Sequence, residues 1–420
     1  MKFKLLPSLV VAALSVTAAT QAQAGGYRVA LQGQKALGMG HTGVAMSDSS
    51  EVIFFNPGAM TALENDFDLS AGVTLIDSVI KYQNEAANVS AENDNPIGTH
   101  VSFYIAQRHD EKLSYGIGVY TPYGNVVEWE KDWEGSHLVN NIELHAIYLQ
   151  PTIAYKLSDN YSFGFGPTIV SGTVKFNRNL STSLVDQHGD RSNVTIEASN
   201  VTGTGYNLGF LAKPSSDLSV GISYRSKVDL SARGETADFE NIPTSLHNTY
   251  FDTTFNADLV LPAELTVGVS YQLSADTVLA FDINRTYWSA YKNLDVQFNN
   301  GAGLSLNPRN YNDANIFRFG AQHKMNDDLT LRAGVYFDNS PIGDGYYTPE
   351  TARADSMGIT AGASYKVSKQ MELDFSFLEL IFDEFNGSYD YYDQSGTLIS
   401  FGGDYKSSVT AIGFGLNYKY

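Results

Sequence analysis

From about residue 67 onward, apolar and polar positions alternate in segments of roughly ten residues, the period-two pattern of strands with one face in apolar surroundings. The last segment is the clearest: Ile412, Phe414, Leu416, Tyr418 and Tyr420 share one face, and Ala411, Gly413, Gly415, Asn417 and Lys419 share the other. Leu329, Leu331, Ala333, Val335 and Phe337 repeat the arrangement against Thr330, Arg332, Gly334, Tyr336 and Asp338. The pattern predicts fourteen strands, near 67–83, 99–108, 113–124, 144–157, 161–177, 200–214, 218–233, 256–273, 276–288, 315–325, 329–338, 355–367, 371–384 and 409–420. Short turns such as Ser158-Asp159-Asn160 and Asn326-Asp327-Asp328 interleave with seven longer segments of about 15 to 27 residues. An even strand number with short turns at one end and long loops at the other is the plan of a single-chain outer-membrane barrel, with both mature termini on the periplasmic side. A soluble sandwich has no reason to keep that strict alternation.

The segments before residue 67 read differently. Lys2 and Lys4 precede an apolar stretch from Leu5 to Ala19, and Ala22-Gln23-Ala24 supplies a small-x-small cleavage pattern, so residues 1–24 read as a secretory signal peptide. Residues 25–66 are rich in Gly, Ala and Ser and show no strand period. They are expected to fill the lumen, because a fourteen-strand barrel is wide enough to be an open pore unless something occupies it. Gly38-Met39-Gly40-His41-Thr42-Gly43 matches a dinucleotide-binding fingerprint letter for letter, but neither the preceding strand nor the βαβ unit that gives the motif meaning is present. Close packing of small residues inside the lumen is the better reading, with His41 a packed plug residue.

Composition sharpens this picture. No run of about 18 apolar residues exists, so no helix could span a bilayer. The mild mean hydropathy of −0.19 is what averaging lipid-facing with lumenal positions produces. With 27 basic and 46 acidic residues the net charge is −19, which goes to −21 once Lys2 and Lys4 are removed, and this argues against a nucleic-acid partner. There are no cysteines, so thiolate metal sites and cysteine nucleophiles are absent. No G-x-S-x-G or H-E-x-x-H occurs, no metal or cofactor site is expected, and the chain does not read as an enzyme.

Several stretches, taken in order, resemble the FadL/TodX-type outer-membrane transporters of long-chain fatty acids and other hydrophobic compounds. They are Leu37-Gly38-Met39-Gly40, Asn56-Pro57, Thr121-Pro122-Tyr123-Gly124, Tyr161-Ser162-Phe163-Gly164-Phe165-Gly166, Leu261-Pro262 and Phe317-Arg318-Phe319-Gly320. The most specific is Arg332-Ala333-Gly334-Val335-Tyr336-Phe337-Asp338-Asn339-Ser340-Pro341. The resemblance covers nearly the whole mature chain. It implies an all-β fold: a 14-stranded antiparallel transmembrane β-barrel over residues 67–420, with an N-terminal hatch (residues 25–66) as a plug inside the lumen. It also implies passive passage of an apolar substrate, with a kink in the third strand opening the wall sideways to the bilayer. One departure concerns Asn56-Pro57-Gly58, where the family reads Asn-Pro-Ala.

The physical problem for such a channel is an amphiphile that must cross the dense polar face of lipopolysaccharide. Phe239, Ile242, Pro243, Leu246, Tyr250, Phe251 and Phe255 crowd into the fourth long loop, and Trp129, Trp133 and Leu138 into the second. Such residues form either an exposed catching surface or loop packing. Alternation aims Arg318 and Arg332 at the lumen, where either could meet a carboxylate head group or pair with Asp338, Asp355 or the hatch. The resemblance makes Lys175 and Arg178, near the outer end of the fifth strand, alternative head-group ligands. Candidate gating residues are Asn56, Pro57 and Gly58 of the hatch and Gly116, Gly118 and Pro122 of the third strand, residues that weaken a ladder. Tyr420 is a candidate signal for the barrel-assembly machinery. The expected partners are a long-chain fatty acid or other hydrophobic small molecule, outer-membrane lipid and lipopolysaccharide, and the chain is expected to act as a monomer. The rival readings are an aromatic or alkane hydrocarbon channel of the same family, and a substrate-specific polar porin.

Overall fold

The computed structural model describes residues 26–420 apart from 131, 352 and 393–396, so the signal-peptide reading lies outside the described residues. Fourteen antiparallel strands form the wall: β1 (Phe67–Asn84), β2 (Gly98–Arg108), β3 (Leu113–Glu128), β4 (Asn141–Ser158), β5 (Tyr161–Asn179), β6 (Asn193–Ala212) and β7 (Leu218–Arg225, resuming as Val228–Glu240). They continue as β8 (Thr253–Leu261, resuming as Glu264–Ser274), β9 (Thr277–Thr286), β10 (Ala314–Lys324), β11 (Leu329–Asp338), β12 (Ser356–Lys366), β13 (Met371–Phe382) and β14 (Leu398–Lys419). Each pairs with the next over at least part of its length, and β14 closes on β1 from Asp68↔Lys419 to Gln83↔Asp404, completing the barrel. The fourteen segments read from period two are all present. The last begins earlier than expected, at Leu398, because it continues upward to pair with a short strand, Phe385–Tyr392.

Alternation decides what each face does. Phe163, Phe165 and Ile169 on β5, Val267 and Val269 on β8, Leu373 and Phe375 on β13 and Ile412 and Phe414 on β14 all face outward, giving the wall a continuous apolar belt. A closed wall with such a belt pairs its backbone groups strand to strand wherever the ladder is continuous, which is what a hydrocarbon layer demands.

Residues 26–63 lie within the barrel and are almost wholly buried. Short helical turns at Gln34–Leu37, Val52–Phe55 and Pro57–Ala62 thread between glycines that let backbones touch. At Gly38 an added Cβ would lie 2.7 Å from Gly362 Cα, and at Gly40, with φ of 67°, it would lie 2.6 Å from the Phe319 carbonyl. The fingerprint-like glycines are therefore packing sites. His41 sits among them with its ring edge-on to Phe55 at 4.9 Å. Polar contacts fasten the segment all round: Arg28 to Asp338 at 2.7 Å, Lys35 to Glu372 at 2.5 Å, Gln34 to Thr74, and Ser50 to Asp68 and Ser70.

Candidate functional site: a gap in the wall and the cavity beside it

The third strand leaves the wall. β2 and β3 pair only from Phe103↔Val119 down to Arg108↔Ser114, while Gly98–Ser102 of β2 stays paired to β1. Above Val119 the alternation of β3 is lost, and every residue from Tyr120 to Val127 is buried. The cause is local: between Tyr120 and Tyr123 the register with β4 slips by one residue, and Pro122 cannot donate to a ladder. The gap closes again above, where Asn93 bridges Trp129. Gly116 and Gly118 lie below the break, where they make room for Ile53 of the plug.

The freed edge of β3 is occupied by the start of the plug. Arg28 bridges Tyr123, Val29 N–H donates to Pro122 O at 2.8 Å, and Gly124 N–H donates to Tyr27 O at 3.0 Å. Gln32 Nε2 donates to Thr121 O at 2.9 Å, and the Tyr27 hydroxyl donates to Val260 O across the lumen. A three-residue strand from the plug thus stands where β2 would otherwise pair.

Above this strand lies a cavity whose free space, counted together with its opening to solvent, is about 1140 Å³. Leu144, Val174, Phe176, Ile196, Leu259 and Phe298 are among the residues that make its walls apolar, and Tyr27 contributes to its lining. Its polar end holds Arg178, Arg309, Glu350 and Ser305. Arg309 is paired with Glu350 at 2.9 Å. Arg178 is different: its guanidinium donates to Ser305 Oγ at 3.1 Å and to His137 O at 3.5 Å, and among the described residues it has no carboxylate partner.

The remaining expected residues divide clearly. Lys175 is exposed on the opposite face of β5 from Arg178 and does not line the cavity. Arg332 pairs with Asp48 of the plug at 3.7 Å and donates to Ser364 at 2.5 Å, so of its expected partners it takes the plug. Asp338 is taken by Arg28, and Arg318 faces a second, lower cavity. The exposed catching surface is corrected to loop packing. Phe239, Ile242 and Tyr250 are buried in a cluster with Phe255, with Phe239 meeting Phe298 at 5.4 Å, and Leu246 packs against it. Trp129 and Trp133 stack at 4.1 Å and are both buried. Large aromatics in tall loops gain more by covering one another than by facing water. Of the fourth-loop group only Phe251 stays exposed, at 48 %.

Asn56 accepts from Gly58 N–H and donates to Val44 O and to Phe210 O of β6, fixing the Asn56-Pro57 turn against the wall. An alanine methyl at 58 would lie 2.8 Å from the Gly209 carbonyl, so the close approach to β6 explains glycine where the family has alanine. Tyr420 continues the outward face of β14, stacks on Phe67 at 5.1 Å, and its main chain pairs with Phe67 in both directions. The Tyr27-Arg28-Val29 strand and Arg309 were not legible as functional residues, because neither carries a period or a local motif. Among the described residues no cluster of His, Asp and Glu could hold a metal ion.

A closed antiparallel barrel with an apolar belt, a filled lumen and a wall gap beside an apolar cavity defines an outer-membrane channel for hydrophobic solutes. The chain belongs to the outer membrane protein transport protein family (OMPP1/FadL/TodX), whose model matches residues 15–420. It is 23 % identical to the 47 kDa outer membrane protein of Pasteurella multocida, over 99 % of both chains. It is 22 % identical to the long-chain fatty acid transport protein of Escherichia coli K12, over 84 % of this chain and 87 % of that one. Among solved structures, a Pseudomonas aeruginosa FadL homologue superposes with a TM-score of 0.83 at 17 % identity, covering 94 % of this chain and all of the other. The Ralstonia pickettii toluene transporter TbuX gives 0.69 at 18 % identity, over 92 % and 98 %. The protein is an outer-membrane β-barrel of a family that transports hydrophobic compounds, a transport rather than an enzyme family.

Proposed function

We propose that the protein carries long-chain fatty acids through the outer membrane by passive diffusion, releasing them sideways into the bilayer through the β2–β3 gap. Arg178 carries the reading: a guanidinium without a carboxylate partner at the polar end of a large apolar cavity is complementary to an amphiphile with one negative charge. The tail removes apolar surface from water along walls such as Leu144, Val174 and Phe298, and the carboxylate supplies the partner that Arg178 lacks. Gating falls to the Tyr27–Val29 strand. It separates the cavity from the wall gap, and its release both opens the cavity downward and bares the edge of β3. The tail then leaves without meeting water. Fatty acid is favoured over neutral hydrocarbon because toluene would leave Arg178 unpaired.

Calorimetric binding to purified protein tests this. Arg178→Ala is expected to weaken oleate binding about tenfold or more, the effect of losing one charge-assisted bond, and to leave toluene binding unchanged. Equal loss for both ligands, or no loss for oleate, would remove the head-group assignment.

A further inference from the structure

Beneath the Tyr27–Val29 strand lies a second, smaller cavity between plug and wall. Its charged lining consists of three guanidiniums, Arg28, Arg225 and Arg318, and one carboxylate, Glu264. Two of the three cations are accounted for. Arg28 is held by Asp338, and Arg225 stacks over Phe54 at 4.1 Å, donates to Phe54 O at 2.9 Å and faces Glu264 at 3.9 Å. Glu264 in turn accepts from the Tyr123 hydroxyl at 2.8 Å and from Asn284 at 3.2 Å.

Arg318 is the exception. It is 4 % exposed, it lines the cavity, and among the described residues it makes neither a hydrogen bond nor an ion pair within 4 Å, so that Asp282, Glu264 and Asp338 act on it only at longer range. Its neighbour across the β9–β10 ladder, Asp282, turns Oδ2 to the plug amides of Gly43 at 2.9 Å and Val44 at 3.2 Å, and its Oδ1 has no hydrogen-bond partner. Two more buried polar groups on the lining are short of partners: the His41 ring, which has only the Gln32 main chain near it, and the Oε1 of Gln32. Burial, with Arg318 and Arg28 close by, holds the His41 imidazole well below its usual pKa, so it is a neutral group with a donor to offer. A buried guanidinium without a direct anion contact is costly, and such a group persists where an anion visits.

The location supplies the visitor. Tyr27 lines the upper cavity, Arg28 and Val29 line the lower one, and Pro122 at the kink of β3 borders the lower one as well. Release of this strand therefore joins Arg178, Arg318 and the wall gap. An ionised head group leaving Arg178 for the gap crosses the protein interior, where an unpaired carboxylate is as costly as an unpaired guanidinium.

We propose that the lower cavity is a second carboxylate station, where Arg318, assisted by His41, receives the fatty-acid head group between the upper cavity and the wall gap. This rests on the fatty-acid reading above. The apolar tail remains in the upper cavity or the gap, since the lower cavity is the smaller and its lining is charged.

The test compares equilibrium binding with transfer into liposome bilayers, using reconstituted full-length protein and oleate, toluene and butyrate. Arg318→Gln is expected to leave the oleate dissociation constant within about twofold, to slow oleate transfer about tenfold, and to leave toluene transfer unchanged, with Arg318→Lys restoring most of the rate. Because Arg318 has no hydrogen bond or close ion pair to lose and its burial is the dominant cost, Arg318→Gln is also expected to keep the thermal unfolding midpoint at or above that of wild type. Oleate transfer by Arg318→Gln at the wild-type rate overturns the station alone, as does equal slowing of toluene or a lowered midpoint, which mark a structural role. Butyrate that slows oleate transfer through wild type but not through Arg318→Gln would mark a site for free anions and likewise overturn it. Wild type that neither binds nor transfers oleate removes the fatty-acid reading itself.

Discussion

The wall is interrupted twice, and the two interruptions are built differently. Between β2 and β3 the ladder ends at Phe103↔Val119, level with Ala71 of β1, so the gap opens beside the outward-facing Val73 and Leu75, within the apolar belt. Between β6 and β7 pairing is missing from Asn207↔Arg225 up to Glu197↔Thr236. This second gap begins beside Ile169 of β5, above which the outward positions turn to Ser171, Thr173 and Lys175, and it is faced by the exposed Lys227–Asp229 ion pair. It therefore lies at the polar rim of the belt. The filling differs too. The β2–β3 gap is occupied by a plug strand that belongs to neither wall strand. The β6–β7 gap is closed by its own side chains: Val228 and Leu230 lie over Gly203, Gly205 and Gly172, and Ser226 exchanges hydrogen bonds with the Tyr206 main chain. A missing ladder is thus not yet an opening. Under the proposed lateral release, an exit requires apolar depth and a filling that can leave.

The largest effect is expected at the movable filling. Arg28→Ala leaves Asp338 buried without its partner, a loss of about 3–5 kcal/mol, and should release the plug strand. Planar-bilayer recordings should then show raised ion conductance, and a conductance equal to wild type would mean that Arg28 does not fasten the closed state. A smaller effect is expected at the fixed filling. An added Cβ at Gly203 would lie 2.5 Å from Val228 Cγ1, so Gly203→Leu should cost about 1–3 kcal/mol of overpacking, read as a lower unfolding temperature. Oleate transfer per folded molecule should not change, and a selective loss of transfer would make the β6–β7 gap part of the path. The smallest change is expected from Tyr27→Phe, which removes one hydrogen bond from the plug strand, about 0.5–1.5 kcal/mol. Stopped-flow transfer of oleate should become modestly faster, whereas slower transfer would show that the Tyr27 hydroxyl serves the open state.

Much of this architecture was legible in the residues. Period two marks the fourteen strands because one face of each meets lipid, and the turn chemistry marks their ends. Alternation also separates Lys175 from Arg178: residues three apart on a strand face opposite ways, so only one of them can meet the lumen. Other features depend on distant partners. Pro122 announces a break in β3 but not its direction, which follows from the slip against β4 and from the plug strand that takes the freed edge. The aromatics of the fourth loop satisfy surface and packing readings equally until Val194, Ile196 and Phe298 are brought against them. Nothing around Tyr27-Arg28-Val29 indicates a strand, because its pairing partner is almost a hundred residues away and Asp338 more than three hundred.

In the proposed mechanism the plug strand must leave β3 for substrate to pass. Arg28 and Tyr123 form a non-hydrogen-bonded antiparallel pair, flanked by the Val29–Pro122 and Gly124–Tyr27 bonds. The Cα atoms of such a pair lie about 4.5 Å apart, close enough for a disulfide. The chain contains no cysteine that could compete, so the doubly substituted protein, Arg28→Cys with Tyr123→Cys, can be locked by oxidation and released by reduction. Oleate transfer into liposomes should fall to the protein-free rate when oxidised and return on reduction. Transfer by the oxidised protein at the rate of the reduced protein would contradict the account.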